Sequence, residues 1–196
     1  MRLIANSQTY QLASTTNETN AADEVAYSHA TPRRLTAEQM LDGIVHVVGV
    51  AAVFGGQPAE IRAVQLPGVR NGGHRFSKPE IGDRFLALFG KPGRLQTCEC
   101  ERSNSTTLAQ TFEMVSGELI NQLIDSAETR FAKAVREKLP TPQIVSDLYW
   151  SALSRGPTQQ ELAAAISHVD SNQKDNEGLQ DVVWALLNSN EFLLRK

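Results

Sequence analysis

Apolar residues recur at helical spacing behind hydroxyl caps, and this repeat constrains the chain more than any other feature. Leu35-Thr36-Ala37-Glu38-Gln39-Met40 is a helix start. The Thr36 hydroxyl can accept from the Gln39 amide while the Gln39 side chain reaches back to the Thr36 amide, a reciprocal capping box with Leu35 and Met40 at the stapling positions. Met40, Leu41, Ile44, Val45 and Val48 follow on one helical face, and Gly49 ends the element. The pattern returns at Thr158-Gln159-Gln160-Glu161, ahead of Leu162, Ala165, Ile166 and Val169. Between them, Thr141-Pro142 opens a helix with proline in its first turn. That helix carries Ile144, Val145, Leu148, Tyr149, Ala152 and Leu153, and Arg155-Gly156-Pro157 supplies its stop.

Other segments extend the pattern. Leu108, Phe112, Val115, Leu119, Leu123 and Ile124 form one long stripe, and Ala127 to Leu139 reads as a charged helix with Phe131 and Val135 inward. Leu179, Val182, Val183, Leu186, Leu187 and Leu194 line a last helix that also carries Trp184. A short helix is expected from Arg2 to near Leu12, with Leu3 and Ile4 on one side, then a polar turn region from Ser14 to Asn20 in which Asn17 can form an Asx-turn. Residues 57–93 are irregular and rich in glycine and proline. Inside that section Ala63 to Leu66 reads as a short strand. Pro79 to Phe89 reads as one helix burying Ile81, Phe85, Leu88 and Phe89, stopped by Gly90 and Pro92. The expected fold is mainly α: one domain over residues 1–196, an orthogonal bundle of roughly six to eight helices.

A chain of 196 residues is long enough to bury a substantial core. Through Cys98 it carries 10 Lys+Arg against 8 Asp+Glu, and beyond it 9 against 14, so the parts hold +2 and −5. Neither balance suits a nucleic-acid or anionic-membrane partner. The longest apolar run, Ile44 to Phe54, is interrupted by His46 and Gly49 and is too short to span a bilayer. The first residues, MRLIANSQTYQLAS, lack the apolar core of a signal peptide.

Thr97-Cys98-Glu99-Cys100-Glu101-Arg102 is the most unusual stretch. A metal or redox reading places Cys98 and Cys100 at its centre, but zinc takes four ligands, commonly from two separated pairs. No second pair exists, and no spacing recruits His46, His74 or His168. The plainer reading packs one cysteine as a small hydrophobe and sets the glutamates against helix N-termini or Arg102. His29, His46, His74 and His168 are scattered, with no zinc-hydrolase pairing and no Gly-x-Ser-x-Gly elbow. Arg62 to Arg102 holds eight Lys/Arg against four Asp/Glu with Phe76, Phe85 and Phe89 interleaved. Those rings sit at helix-core spacing rather than as exposed stacking platforms. Tyr149 and Trp150 are adjacent, so they cannot both face one core, which makes Trp150 an interface candidate.

Taken in order, NSQTYQLAS, NETNAADE, PRRLTAEQMLDGI, RAVQLPG, FLALFGKPGR, TCECERSNSTTLAQTFEMVSGELINQLI, LYWSALSRGPTQQEL and WALLNSNEFL resemble the carboxy-terminal part of the planctomycete domain of unknown function called PSD-one. The likeness covers nearly the whole chain. It implies large exported relatives at the periplasm or cell surface, with an upstream planctomycete domain and in some cases cytochrome-c-like domains. It implies no established reaction, so it assigns no catalytic residue. This chain is shorter than that pattern, with no Cys-x-x-Cys-His haem motif, and is expected to be the C-terminal part of a larger domain, leaving an apolar patch exposed near Leu3, Ile4 and the first capped helix.

The reading is therefore a structural or protein-interaction helical module, with no catalytic residue, cofactor or nucleic-acid partner and no membrane insertion. Its partner would be the upstream domains of an intact relative or another protein, with Leu3, Ile4 and Trp150 as interaction candidates. The alternatives are a redox or metal-linked element at Cys98 and Cys100, and cell-surface or carbohydrate binding by the irregular section.

Overall fold

The computed structural model describes residues 1–23, 25–66, 79–91, 107–172 and 176–195. The chain divides into two compact units, Met1–Leu35 with Leu194–Lys196, and Thr36–Leu193.

The first unit has no buried residue among those described up to Leu35. Polar turns hold it. Its helix α1 covers only Arg2–Ala5, shorter than the sequence suggests. The Ser7 hydroxyl donates to the Ile4 carbonyl at 2.8 Å and accepts from the Tyr10 amide at 3.3 Å, and Gln11 Nε2 donates to the Ala5 carbonyl at 3.1 Å. Side chains thus take the backbone groups that a further turn would use. Leu3 and Ile4 are 89% and 59% exposed. Asn17 forms the expected Asx-turn, its Oδ1 accepting from the amides of Thr19 and Asn20 at 3.0 and 3.1 Å. The Asp23 carboxylate accepts from the amides of Val25, Ala26 and Ser28 and from the Ser28 hydroxyl. The Ser28 hydroxyl foremost, then those amides, holds its pKa well below the usual carboxylate range. Strand β1 (Arg33–Arg34) pairs antiparallel with β2 (Leu194–Arg195), Arg33 opposite Arg195 and Arg34 opposite Leu194.

The second unit is a helical bundle. It comprises α2 (Ala37–Val48), the 3-10 turn η1 (Ala63–Gln65), α3 (Ile81–Leu88), α4 (Leu108–Ser116), α5 (Glu118–Ile124), α6 (Arg130–Arg136), α7 (Thr141–Leu153), α8 (Gln159–Ser171), α9 (Glu177–Leu187) and α10 (Asn190–Leu193). None of these helices is long and apolar enough to cross a membrane. The Thr36 capping box forms, with the Gln39 amide donating to Thr36 Oγ1 at 3.3 Å and the Thr36 amide to Gln39 Oε1 at 3.1 Å. Gly49 closes α2 in the left-handed conformation, φ 80°. Met40, Leu41, Ile44, Val47 and Val48 are each at most 1% exposed, a burial that stabilises by roughly 1.5–3 kcal/mol per large side chain. Neighbours of α2 are η1, α3, α5, α6, α7 and α9.

Several expectations give way to longer-range forces. Ala63 to Gln65 is a 3-10 turn, not a strand. Asp42, one turn into α2, accepts from the amides of Ala63 and Val64 at 2.7 and 3.3 Å. The buried Lys91 ammonium donates to the carbonyls of Ala63 and Leu66 at 2.8 and 3.0 Å, beside Glu38 at 3.6 Å. One carboxylate and one ammonium thus satisfy both ends of the turn. Phe85 of α3 and Phe89 at its C-cap stack at 4.3 Å and are buried, with Leu86 buried in place of Ile81 and Leu88.

The long stripe breaks at Gly117, which is both the last cap of α4 and the first of α5. A Cβ there would collide with the carbonyl and carboxyl group of Glu113. Beyond the break Leu119, Leu123 and Ile124 are buried as expected; before it Leu108 and Phe112 are 78% and 67% exposed and Val115 is exposed too. Hydrogen bonds set this rotation. Gln110, buried, donates from Nε2 to the Leu88 carbonyl at 2.9 Å, while Trp184 Nε1 and Asn188 Nδ2 donate to the carbonyls of Val115 and Met114 at 2.9 and 3.3 Å. Val135 of α6 is also exposed, whereas Phe131 is buried. Helix α7 stops at Leu153 with Ser154 in the left-handed region, φ 56°, so Arg155 stands outside the last turn. The helix expected to run on to Leu194 ends at Leu187 as α9; the short α10 follows, and Leu194 belongs to β2.

Helices α8 and α9 meet at Gly178. A Cβ at Gly178 would lie 2.7 Å from Val169 Cα, which is backbone and cannot swing aside. Overpacking of this kind costs about 1–3 kcal/mol, more than the roughly 1 kcal/mol that alanine gains over glycine in a helix. Gly178→Ala is therefore expected to lower the urea midpoint. At Gly43 the nearest atom is Cζ of Phe192 at 3.2 Å, a side-chain tip able to yield, so Gly43→Ala should leave the midpoint unchanged or raise it, by up to about 1 kcal/mol of stability. Equal midpoints for the two variants would refute this account of the α8–α9 contact.

Candidate functional site

Helix α8 presents Glu161, Ala164, Ala165 and His168 on one face, the spacing of a single helical stripe. Facing it are Tyr149 and Leu153 of α7, and Asp181, Val182, Trp184, Ala185 and Leu186 of α9, with Ser189 and Glu191 closing one end. The groove so formed holds about 590 Å³. Three alanines in its walls let another backbone approach closely.

Arg155 organises its charged end. Nε donates to Glu191 Oε1 at 2.8 Å and Nη2 to Glu191 Oε2 at 2.8 Å. Nη1 and Nη2 donate to the two oxygens of Glu161 at 2.9 and 2.8 Å, and Nη1 also to the Gly156 carbonyl at 3.1 Å. All five guanidinium N–H groups therefore have acceptors. The cation lies 5.7 Å from the centre of the Tyr149 ring. Glu161 accepts in addition from the Thr158 amide at 2.7 Å, completing the second capping box. At the other end His168 Nε2 and Asp181 Oδ2 are 2.8 Å apart.

These contacts tune the groups. The bonds from Glu161 first and Glu191 next raise the pKa of the Arg155 guanidinium further. Arg155 first, and then the Thr158 amide, hold the Glu161 carboxyl down at about 2. Burial, and then the negative charge of Glu161, push the Tyr149 hydroxyl up.

A second cavity, about 620 Å³, lies between α2 and residues 51–64 and is lined by His46, Glu60 and Arg62 among others. Its most enclosed acid, Asp42, is already engaged with η1 and with Arg62 Nε at 3.5 Å.

Of the residues singled out from sequence, Cys98, Cys100 and His74 lie outside the described residues. Leu3 and Ile4 are exposed on α1. Trp150 is 58% exposed, its indole beside Gly156 rather than in the groove, and the adjacent Tyr149 is buried. His46 and His168 line separate cavities. Among the described residues no three His, Cys, Asp or Glu side chains are grouped so as to hold a metal ion. Arg155, Glu161, Asp181 and Glu191 carry no site signal in the sequence: Arg155 reads as a helix stop and Glu161 as a cap, and their second roles depend on partners from other elements.

Fold and site together define a helical bundle with an acid-rimmed groove. The chain belongs to the PSD1 family, described as a protein of unknown function (DUF1553), whose family model matches residues 1–169. The match takes in Arg155, Glu161 and His168, while Asp181, Trp184 and Glu191 follow it in sequence. No curated protein and no solved structure matches the chain.

The Arg155–Glu161 pairing has a pH signature. Because the folded-state pKa of Glu161 lies below its ordinary 4.5, its stabilising contribution is complete above about pH 4.5 and is lost as pH falls toward 2. Urea midpoints measured between pH 6 and pH 2.5 should decline through this window, and Glu161→Gln should flatten the decline. An unchanged slope in the variant would show that the pairing does not stabilise the fold.

Proposed function

We propose that this chain is a protein-interaction module whose docking surface runs from the outer face of α4, through Trp184, into the α7–α9 groove. The outer face of α4 carries the proposal. Its exposed residues are Leu108, Ala109, Thr111, Phe112, Val115 and Ser116, with no charge among them. A helix facing water ordinarily places charged residues there, and grouped exposed hydrophobes mark contact surfaces. Phe112 is of the aromatic type that anchors interfaces. Trp184 joins the two parts, bonding the α4 end through its indole N–H while its ring lines the groove.

The polar groups of the groove favour the same reading. They are bound to one another and so maintain its shape. The partner is another protein, or a neighbouring domain of a longer polypeptide. A cell-surface or carbohydrate role for residues 57–93 requires exposed aromatics, and Phe85 and Phe89, the two aromatics described there, are buried. The redox or metal alternative rests on Cys98 and Cys100, outside the described residues.

Selection of a displayed random-peptide library against the full chain tests the proposal. Peptides enriched on the parent should weaken about tenfold against Phe112→Ser, the cost of removing one interface anchor, and also against Ala164→Trp, which fills the groove. No enrichment, or enrichment indifferent to both substitutions, overturns it.

A further inference from the structure

We infer that the segment received by this surface is an apolar helix that carries lysine or arginine to the Glu161–Glu191–Asp181 rim. The inference rests on the docking surface proposed above and concerns the chemistry of its occupant. Among the described residues three carboxylates and one guanidinium line the groove, and their sum with His168 is negative whichever form the imidazole takes. Arg155 has no donor left for an incoming anion, because each of its five N–H groups already meets an oxygen. An acidic ligand would have to displace Glu161 or Glu191 from paired bonds of 2.8–2.9 Å. A cation faces less competition, since Glu161 Oε1 accepts a single bond and a carboxylate oxygen bonded once keeps acceptor capacity. At the opposite end Asp181 is half-exposed and bonded to His168, within reach of solvent. Leu153, Ala164, Ala165, Val182 and Ala185 give the groove an apolar lining, and the exposed residues of the adjoining α4 face carry no charge, so the cationic groups of the occupant belong on one edge and its apolar residues on the other.

The test uses two synthetic amphipathic peptides with the same leucine and phenylalanine face, one bearing lysines and the other glutamates at the remaining positions. Binding to the full chain is measured by fluorescence anisotropy. The parent should prefer the lysine peptide, and Asp181→Lys, placed outside the Arg155 knot, should erode that preference about fivefold, as for one partly exposed charge contact. Phe112→Ser should weaken both peptides together and leave their ratio unchanged. Equal binding of the two peptides, or a preference that Asp181→Lys does not alter, overturns the cationic occupant; if Phe112→Ser still weakens both, the docking surface stands without it. Failure of both peptides to bind overturns inference and docking surface alike.

Discussion

The fold of the larger unit depends on removing one helix from water. Five large apolar side chains of α2 are at most 1% exposed, and no single neighbour is wide enough to cover them. Helices α3, α5, α6, α7 and α9 each take a share, and η1 is drawn in as well. Much of the polar structure follows from that burial. Asp42 and Lys91 lie where η1 must end its hydrogen bonding against the helix, and they supply the acceptor and donor that water would otherwise provide. Arg130 performs a related task, donating to the His46 carbonyl at 2.8 Å near the C-terminal end of α2 and to the Ser151 hydroxyl at 2.9 Å on α7.

Local chemistry was legible in the sequence because its partners lie within one helical turn. Thr36 with Gln39 and Thr158 with Glu161 form the boxes that their spacing requires. Gly49 and Gly90, both at positive φ, stand where a helix stop was expected. The misreadings share one cause. Spacing of i, i+4, i+7 shows that Leu108, Phe112 and Val115 share a face, but not whether that face turns inward. The rotation of α4 is set by Leu88, 22 residues from Gln110, and by Trp184, 69 residues from Val115. The strand expected at Ala63 became a turn because of a carboxylate 21 residues away.

The site was less legible than the fold for the same reason carried further. Each member of the Arg155 cluster has a sufficient local explanation: Arg155 follows a helix, Glu161 caps one, Glu191 opens one. Only the 36-residue separation between Arg155 and Glu191, closed by the packing of α7, α8 and α9, turns three ordinary residues into one knot. A bidentate arginine on each of two carboxylates adds geometric specificity as well as attraction. It fixes the short connection between α7 and α8 against the chain that leaves α9.

That rigidity bears on how the groove can work. Here the guanidinium is saturated, Glu161 is held ionised by Arg155 and the Thr158 amide, and burial pushes the Tyr149 hydroxyl up. Such groups resist change. Their physical effect is to fix the shape and charge of a concave wall, and the adjoining α4 face presents apolar surface that water solvates poorly. In the proposed docking role, a fixed acidic rim beside an uncharged apolar stripe would discriminate between partners by charge position and anchor them by burial.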